Sequence, residues 1–354
     1  MNEIDVLPIP GYEKVIEIKN QAVGLHAFVA IHSTAIGPSL GGVRMYPYPT
    51  REQALEDALR LSKAMSYKSA LAETGLGGGK SVIIGSPKIK KTEALLLAFG
   101  EALNSLNGSY IGAEDVGTNT QDMLIIRKMT PFVAALPTKG SSGDPSRFTA
   151  YGIYRGMQAV AQTLWGSPSL KDRVIAIQGL GNVGLKTAHF LFWEGARLIL
   201  TDLDQELLEE TARLLGADKV KPEEILSTPC DLFAPCALGG VLNSKTIPLL
   251  KCSAVAGSAN NQLEKEEDGT ILQQRGILYA VDYAINAGGI INAACEYEAE
   301  GYSPRRSRDK TERIFDTLIH IFEKSIRENT PTNLVANILA EYKLSHHPQY
   351  KSHP

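Results

Sequence analysis

Two lysines, Lys68 and Lys80, frame a stretch in which large side chains almost vanish: Met65-Ser66-Tyr67-Lys68-Ser69-Ala70 runs on to Gly75-Leu76-Gly77-Gly78-Gly79-Lys80. Glycines let a small ligand lie against bare backbone, with both amines reaching it from one side. Confined together, each cation disfavours charging of the other and burial adds to that effect. One amine can then be neutral near pH 7 while the other holds an anion. The plain alternative is two solvated surface lysines, which most lysines are. A phosphate loop is a poor account of Gly-Gly-Gly-Lys-Ser, because the glycine it needs five residues before the last one is Thr74. Context argues the same way: the segment follows a helical pattern and leads into the strand-like Ser81-Val82-Ile83-Ile84.

A third chemical group stands at Asp115, after Tyr110-Ile111-Gly112-Ala113, a short predicted strand that ends in Glu114-Asp115. An acid at a strand's carboxyl end is well placed for chemistry in an α/β sheet, and equally well placed to cap a helix.

The elements that must position these groups follow from the pattern. Glu13–Lys19 and Leu25–Ile31 read as paired strands about the turn at Asn20-Gln21. Gly37-Pro38-Ser39-Leu40-Gly41-Gly42-Val43-Arg44-Met45 reads as a glycine-rich loop. Thr50 can cap a helix with Gln53 completing a capping box, and Leu55, Ala58, Leu59, Ser62 and Met65 follow helical spacing toward Lys68. A second helix is expected over Leu95–Leu103. Residues 138–150 are dense in Gly, Ser and Pro and mark a domain boundary. A helix follows from about Tyr151 to Leu164.

Beyond that boundary the signal changes in kind. Val174–Gln178 is a strand, Gly179-Leu180-Gly181-Asn182-Val183-Gly184 a complete G-x-G-x-x-G, Leu185–Trp193 a helix closed by Gly195, and Arg197–Thr201 a strand ending in Asp202. The glycines permit the tight turn, close approach of a pyrophosphate and helix–strand packing, while the helix N-terminus attracts the phosphates. Asp202, 23 residues after the first glycine, would bind the ribose 2′-hydroxyl and repel a 2′-phosphate, so the cofactor is expected to be NAD rather than NADP. Asp231–Ala234, Cys252–Ala256 and Ile277–Ala280 continue the parallel sheet, with Ser258-Ala259-Asn260-Asn261 and Asn286-Ala287-Gly288-Gly289 at strand ends. Two amphipathic helices carry Ile314, Leu318, Ile321 and Phe322, then Leu334, Val335, Ile338 and Leu339. Arg305, Arg306 and Arg308 are expected in a solvated loop, and His346-His347 in a tail without metal-binding partners.

Bulk properties narrow the classes. With 354 residues, 44% hydrophobic and 21% charged, the chain is of the globular kind and long enough for two cored domains. A net charge of −3 with interspersed signs argues against nucleic acid or a membrane surface as partner. The acidic start lacks an apolar leader and no apolar run could span a bilayer, so a cytoplasmic location is expected. Cys230, Cys236, Cys252 and Cys295 include no C-x-x-C pair and read as buried free thiols.

The stretches at 37–45, 65–70 and 76–80, together with Glu-Asp-Val-Gly-Thr at 114–118, resemble the Glu/Leu/Phe/Val dehydrogenases, as do Gly-Ser-Ser-Gly-Asp-Pro-Ser at 140–146, Ala-Pro-Cys-Ala-Leu-Gly-Gly at 234–240 and Ala-Gly-Ser-Ala-Asn-Asn-Gln at 256–262. The resemblance spans nearly the whole chain and is nearest the family's leucine-specific branch. It implies a two-domain α/β fold, with an N-terminal substrate domain over 1–135, joined by a C-terminal helix at 331–354, and a Rossmann NAD-binding domain over 140–330. It also implies reversible NAD-dependent oxidative deamination of a branched-chain L-amino acid in a homo-oligomer without a metal. Lys80 would be the general base toward water, Lys68 the partner of the substrate carboxylate, and Asp115 the proton relay to the amino nitrogen. Burial and Lys68 would lower the pKa of the base. Leu40, Gly41, Gly42, Ala113, Asn261, Ile290 and Ala293 would contact substrate. Ser146, Thr149, Leu203, Ala237, Ala259 and Asn261 would contact cofactor beside the glycine loop and Asp202. Family members specific for leucine usually carry valine where Ala293 stands, so the pocket is expected to be larger there. An aromatic amino acid is the alternative substrate, and a non-catalytic NAD-binding scaffold the alternative class. Hydride transfer is expected to wait on closure of a cleft between the domains.

Overall fold

The computed structural model describes Met1–His346, so His347 lies outside the described residues. The chain forms two compact units. Of the described residues, one comprises 1–144, 293–304 and 340–346, the other 145–292 and 305–339.

The first unit is built on a six-stranded sheet. Its strands are β1 (Glu3–Leu7), β2 (Lys14–Asn20), β3 (Leu25–Ser33), β4 (Ser39–Tyr46), β5 (Gly77–Ile84) and β6 (Tyr110–Glu114), in the order β1-β2-β3-β5-β4-β6. β1 to β3 and β5 pair antiparallel, whereas β5, β4 and β6 run parallel. The segment 37–45, expected as a loop, is largely strand β4, and Gly77-Gly78-Gly79-Lys80 begins strand β5. The glycines serve the sheet. A Cβ on Gly41 would lie 1.9 Å from the Gly79 carbonyl oxygen, and one on Gly78 would lie 2.0 Å from the Ser66 amide nitrogen. Bare backbone at these points lets strand meet strand and helix meet sheet without a gap.

Helix α1 (Arg51–Leu71) covers the face of Val15, Phe28, Ala30 and Val82, packing Ala54 and Ala58 onto it. Its start matches the pattern: the Thr50 hydroxyl accepts the Gln53 amide at 3.2 Å. The opposite face carries the larger core, where Ile16, Ile18, Val29, Val43, Met45 and Ile83 meet α2 (Glu93–Asn104) and α3 (Thr120–Arg127). Asn119 caps α3 with a reciprocal capping box to Asp122, which leaves Asp115 free of a capping role there.

In the second unit a parallel six-stranded sheet has the order β12-β11-β10-β7-β8-β9. It comprises β7 (Val174–Gln178), β8 (Arg197–Thr201), β9 (Asp218–Lys219), β10 (Leu232–Pro235), β11 (Ala254–Val255) and β12 (Leu278–Tyr279). Strand order reverses between β7 and β10, the crevice where ligands bind in doubly wound sheets. Helix α4 (Ser146–Trp165) precedes β7, α5 (Gly184–Glu194) and α6 (Gln205–Leu215) follow β7 and β8, and α7 (Ile314–Glu328) packs on α4. Gly156 makes that packing close, since a Cβ there would lie 2.9 Å from a Leu318 methyl.

Two expectations need correction. Arg305, Arg306 and Arg308 stand in a helix, Pro304–Glu312, where Ser307 and Thr311 turn inward four residues apart and Thr311 bonds back to the Ser307 carbonyl. Of the cysteines only Cys295 is buried, while Cys230, Cys236 and Cys252 are partly covered.

Candidate active site

Three adjacent strands of the first sheet present one row of residues toward α1. Leu40 pairs with Gly78 and with Ile111, Gly42 pairs with Ala113, and Arg44 pairs with Val82. Side chains alternate along a strand, so Leu40, Gly42 and Arg44 of β4 share the face of Gly78 and Lys80 on β5. Leu40 is buried and Ala113 half-buried in this row.

Lys80 is 5% exposed, and its Nζ lies 2.8 Å from Asp115 Oδ2. Gly42 is what makes room for them: a Cβ there would lie 2.8 Å from Lys80 Nζ and 2.7 Å from Asp115 Cβ. Burial pushes the Lys80 amine below its usual range, opposed by Asp115 and reinforced by the Arg44 guanidinium. Arg44 thus acts on Lys80 in the direction that the sequence had assigned to Lys68. Burial alone would raise the Asp115 carboxyl, but Lys80 and Arg44 outweigh it and hold it down. A neutral amine and a carboxylate beside bare backbone can together take and return protons.

Lys68 is half-buried in the last turn of α1, the helix that packs on β5. The residues sequence reasoning passed over are Arg44 and Asp57. Arg44 Nε donates to Asp115 Oδ2 at 2.8 Å and its Nη1 to Asp57 Oδ2 at 3.0 Å. Strand alternation places Arg44 two positions from Gly42, a signal lost when the segment is read as a loop.

The second unit holds the residues expected to meet a dinucleotide. Gly179 has φ +99°, and a Cβ on it would sit 2.9 Å from the Ala237 Cβ, so the ends of β7 and β10 meet at the reversal point. A Cβ on Gly184 would lie 2.0 Å from the Gly179 carbonyl oxygen, which ties the start of α5 to the turn. Gly181 is different. It has an ordinary φ and nothing within 4 Å of an added Cβ. The fold itself makes no demand for glycine there, whereas a pyrophosphate approaching the backbone would, so the loop fits a dinucleotide. Asp202 accepts the Leu180 amide at 2.6 Å and the Asp204 amide at 2.9 Å, which fixes the carboxylate at the mouth of the glycine loop. Leu203 beside it is 84% exposed. Asn182 and Ala237 are exposed, Val183 is half-buried, and Leu180 and Ala259 are buried.

Ser146 is buried at the start of α4, and the Thr149 hydroxyl bonds the Pro145 carbonyl at 3.2 Å. Asn261 takes a left-handed φ of +51°, which turns the chain after β11. Ile290 and Ala293 are buried three residues apart on the short helix Gly288–Ala294. Among the described residues no group of three or more acidic, His or Cys side chains could hold a metal ion, and no helix is long and apolar enough to cross a membrane.

Residues 13–131 match the model of the Glu/Leu/Phe/Val dehydrogenase dimerisation domain, and residues 200–345 that of Glutamate/Leucine/Phenylalanine/Valine dehydrogenase. The chain is 48% identical to a leucine dehydrogenase of Geobacillus stearothermophilus over 94% of its own length and 90% of the relative's. It is 43% identical to a phenylalanine dehydrogenase of Caldalkalibacillus thermarum, covering 97% of this chain and 94% of that one. The crystal structure of L-tryptophan dehydrogenase from Nostoc punctiforme superposes with a TM-score of 0.84 at 41% identity, over 95% of this chain and 96% of that one.

Proposed function

This chain belongs to the Glu/Leu/Phe/Val dehydrogenase family and is an amino-acid dehydrogenase, and from that premise we propose that it oxidises branched-chain L-amino acids, leucine with isoleucine and valine, using NAD. The reaction converts the amino acid, water and NAD⁺ into the 2-oxo acid, ammonium, NADH and one proton. When bound, the nicotinamide supplies the hydride acceptor. The observation that carries this reading is the 2.8 Å pairing of the buried Lys80 with the half-buried Asp115 beside Gly42.

In this reading Lys80, as the neutral amine, takes a proton from the water that adds to the iminium carbon of the oxidised substrate. Asp115 passes protons to and from the departing nitrogen, which leaves as ammonium. Lys68 holds the substrate carboxylate, and Asn261 adds a polar contact to carboxylate and nicotinamide. Leu40 and Ala113 give the aliphatic side chain an apolar surface, to which Ile290 and Ala293 contribute. Such a surface discriminates aliphatic chains by about 10–200-fold per methylene at most, so leucine, isoleucine and valine are all accepted. The likeness to a phenylalanine dehydrogenase and an L-tryptophan dehydrogenase supports a second reading, an aromatic amino acid as substrate. We also propose a homo-oligomer, on the description of the domain matched at 13–131 as a dimerisation domain.

The test is NADH production at alkaline pH with a panel of aliphatic and aromatic L-amino acids. Highest kcat/KM with leucine, isoleucine or valine supports the proposal; preference for phenylalanine or tryptophan moves it to the second reading. No turnover with any of them sinks both.

The cofactor has its own test at Asp202. Its carboxylate anchors the glycine loop, which supports the reading that it binds the ribose 2′-hydroxyl. Asp202→Ala is expected to raise KM for NAD while lowering the NAD-to-NADP ratio of kcat/KM by 10-fold or more, on the order of the 1.4 kcal/mol lost with one charged contact. An unchanged ratio would place the ribose contact elsewhere.

A further inference from the structure

The pair of Lys80 and Asp115 is one end of a longer chain of charges. Asp115 Oδ2 takes both the Lys80 amine and Arg44 Nε, each at 2.8 Å. Behind Arg44 stands Asp57 of α1, whose Oδ2 accepts Arg44 Nη1 at 3.0 Å together with the Tyr48 hydroxyl, while its Oδ1 accepts Arg60 Nη2 at 2.8 Å. The side chains of Arg44 and Asp57 are 21% and 16% exposed, so this is a largely covered pair whose geometry counts, unlike an ion pair in open water. Its outer end lines an open depression of about 440 Å³ with Tyr48, Glu56 and Arg60. The chain thus runs from solvent to the buried amine.

We propose that Arg44 is a positioning residue for the deamination: gripped from behind by Asp57, its guanidinium fixes the Asp115 carboxylate against the Lys80 amine and offsets that carboxylate's charge. The proposal rests on the roles given above to Lys80 and Asp115. A lysine facing a lone carboxylate is held as the ammonium, which cannot act as base. A guanidinium on the same oxygen removes much of that bias, and because it stays charged at every working pH it does so without exchanging protons itself. The planar fork matters too, since one group must hold Asp115 and Asp57 in two directions at once.

Other titratable and charged groups stand on the elements that pack against β5: Asp57 and Lys68 on α1, His32 on β3, and Tyr110 on β6. Tyr110 bonds the Gly41 carbonyl at 3.0 Å and the Ser81 hydroxyl at 3.0 Å, and burial leaves it a phenol. His32 bonds the Ser66 hydroxyl at 2.9 Å, and burial pushes it toward the neutral form. Within the charge chain Asp57 favours the ammonium of Lys80 and Arg44 disfavours it, so their removal has opposite signs.

The experiment compares Arg44→Gln, Arg44→Lys and Asp57→Asn with the wild type in the pH profile of kcat/KM for leucine, and reads the titration of Lys80 from the pH dependence of its acetylation by acetic anhydride, quantified by peptide mass spectrometry. Arg44→Gln is expected to move the alkaline-rising limb and the Lys80 titration up by about one pH unit or more. Arg44→Lys keeps the limb near its wild-type position while lowering kcat about 10-fold or more, because a point charge cannot hold both acids. Asp57→Asn moves the limb down. An Arg44→Gln enzyme with an unmoved limb, or a uniform loss of rate at all pH, overturns the proposal. Should Arg44→Gln fail to fold, the limb positions of Arg44→Lys and Asp57→Asn decide, and an unmoved limb in Asp57→Asn overturns it. A wild type that turns over no amino acid defeats the functional reading, while the acetylation titration still tests Arg44.

Discussion

Lys80→Ala is expected to lower kcat by about 10²–10⁴-fold, the usual contribution of a positioned general base. The alkaline-rising limb of the pH profile should vanish with it. With Lys80 acting as the neutral amine, as proposed, activity should rise as pH passes through its folded-state pKa. Burial and Arg44 push that pKa below the ordinary lysine range against the pull of Asp115. The limb therefore lies below the ~10.4 of a free lysine. Lys80→Arg should be as inactive as the alanine variant, since a guanidinium keeps its proton at every accessible pH. NADH binding, followed by its fluorescence, is expected to survive both changes, which separates lost chemistry from lost fold. A Lys80→Ala enzyme with wild-type kcat and an intact limb would remove Lys80 from the mechanism.

The sequence was most informative where local rules act alone. The βαβ unit around Gly179–Gly184 is legible because strand, turn and helix lie within one short stretch, each with its own signature: the β-branched run of β7, the glycine spacing, and the αL closure at Gly195. The pairing of β2 with β3 was legible for the same reason. The first unit's site was harder. Glycine argues for a loop on propensity, yet Gly41, Gly42, Gly77, Gly78 and Gly79 lie in two central parallel strands. Their reason is tertiary: they face a neighbouring carbonyl, the Lys80–Asp115 pair, the backbone of α1 or, for Gly79, the Tyr110 ring. Such contacts join residues dozens of positions apart, and no window of sequence contains them. Reading 37–45 as a loop also hid Arg44, whose role depends on alternation along β4 and on Asp57 across the sheet face. Lys80 and Asp115 could be picked out individually, but their meeting at 2.8 Å is a property of the strand order β5-β4-β6.

Gly42→Ala should disable the enzyme while leaving it folded. The added Cβ would lie 2.8 Å from Lys80 Nζ and 2.7 Å from Asp115 Cβ, distances that real Cβ contacts do not hold, so something must move. Asp115 Cβ is anchored to the backbone just past β6, whereas Lys80 Nζ is the tip of a flexible chain. The tip gives way, the pair opens, and the base is displaced by about 1 Å, a misplacement that costs on the order of 10²-fold in rate. Backbone strain adds nothing, because Gly42 has no positive φ, but the Asp115 Cβ can yield only with a small shift of the chain just past β6. Its stability cost should fall within the ~1–3 kcal/mol range for overpacking. Gly41→Ala is the contrasting neighbour. There the Cβ would strike the Gly79 carbonyl oxygen at 1.9 Å, inside a hydrogen-bonded strand pair that cannot give way without breaking the sheet. Thermal melting beside kcat/KM separates the two: Gly42→Ala should melt within a few degrees of wild type with activity lost, while Gly41→Ala should fail to fold. Near-normal turnover in Gly42→Ala would mean that the close approach of Lys80 and Asp115 is dispensable, and that the base acts from another position.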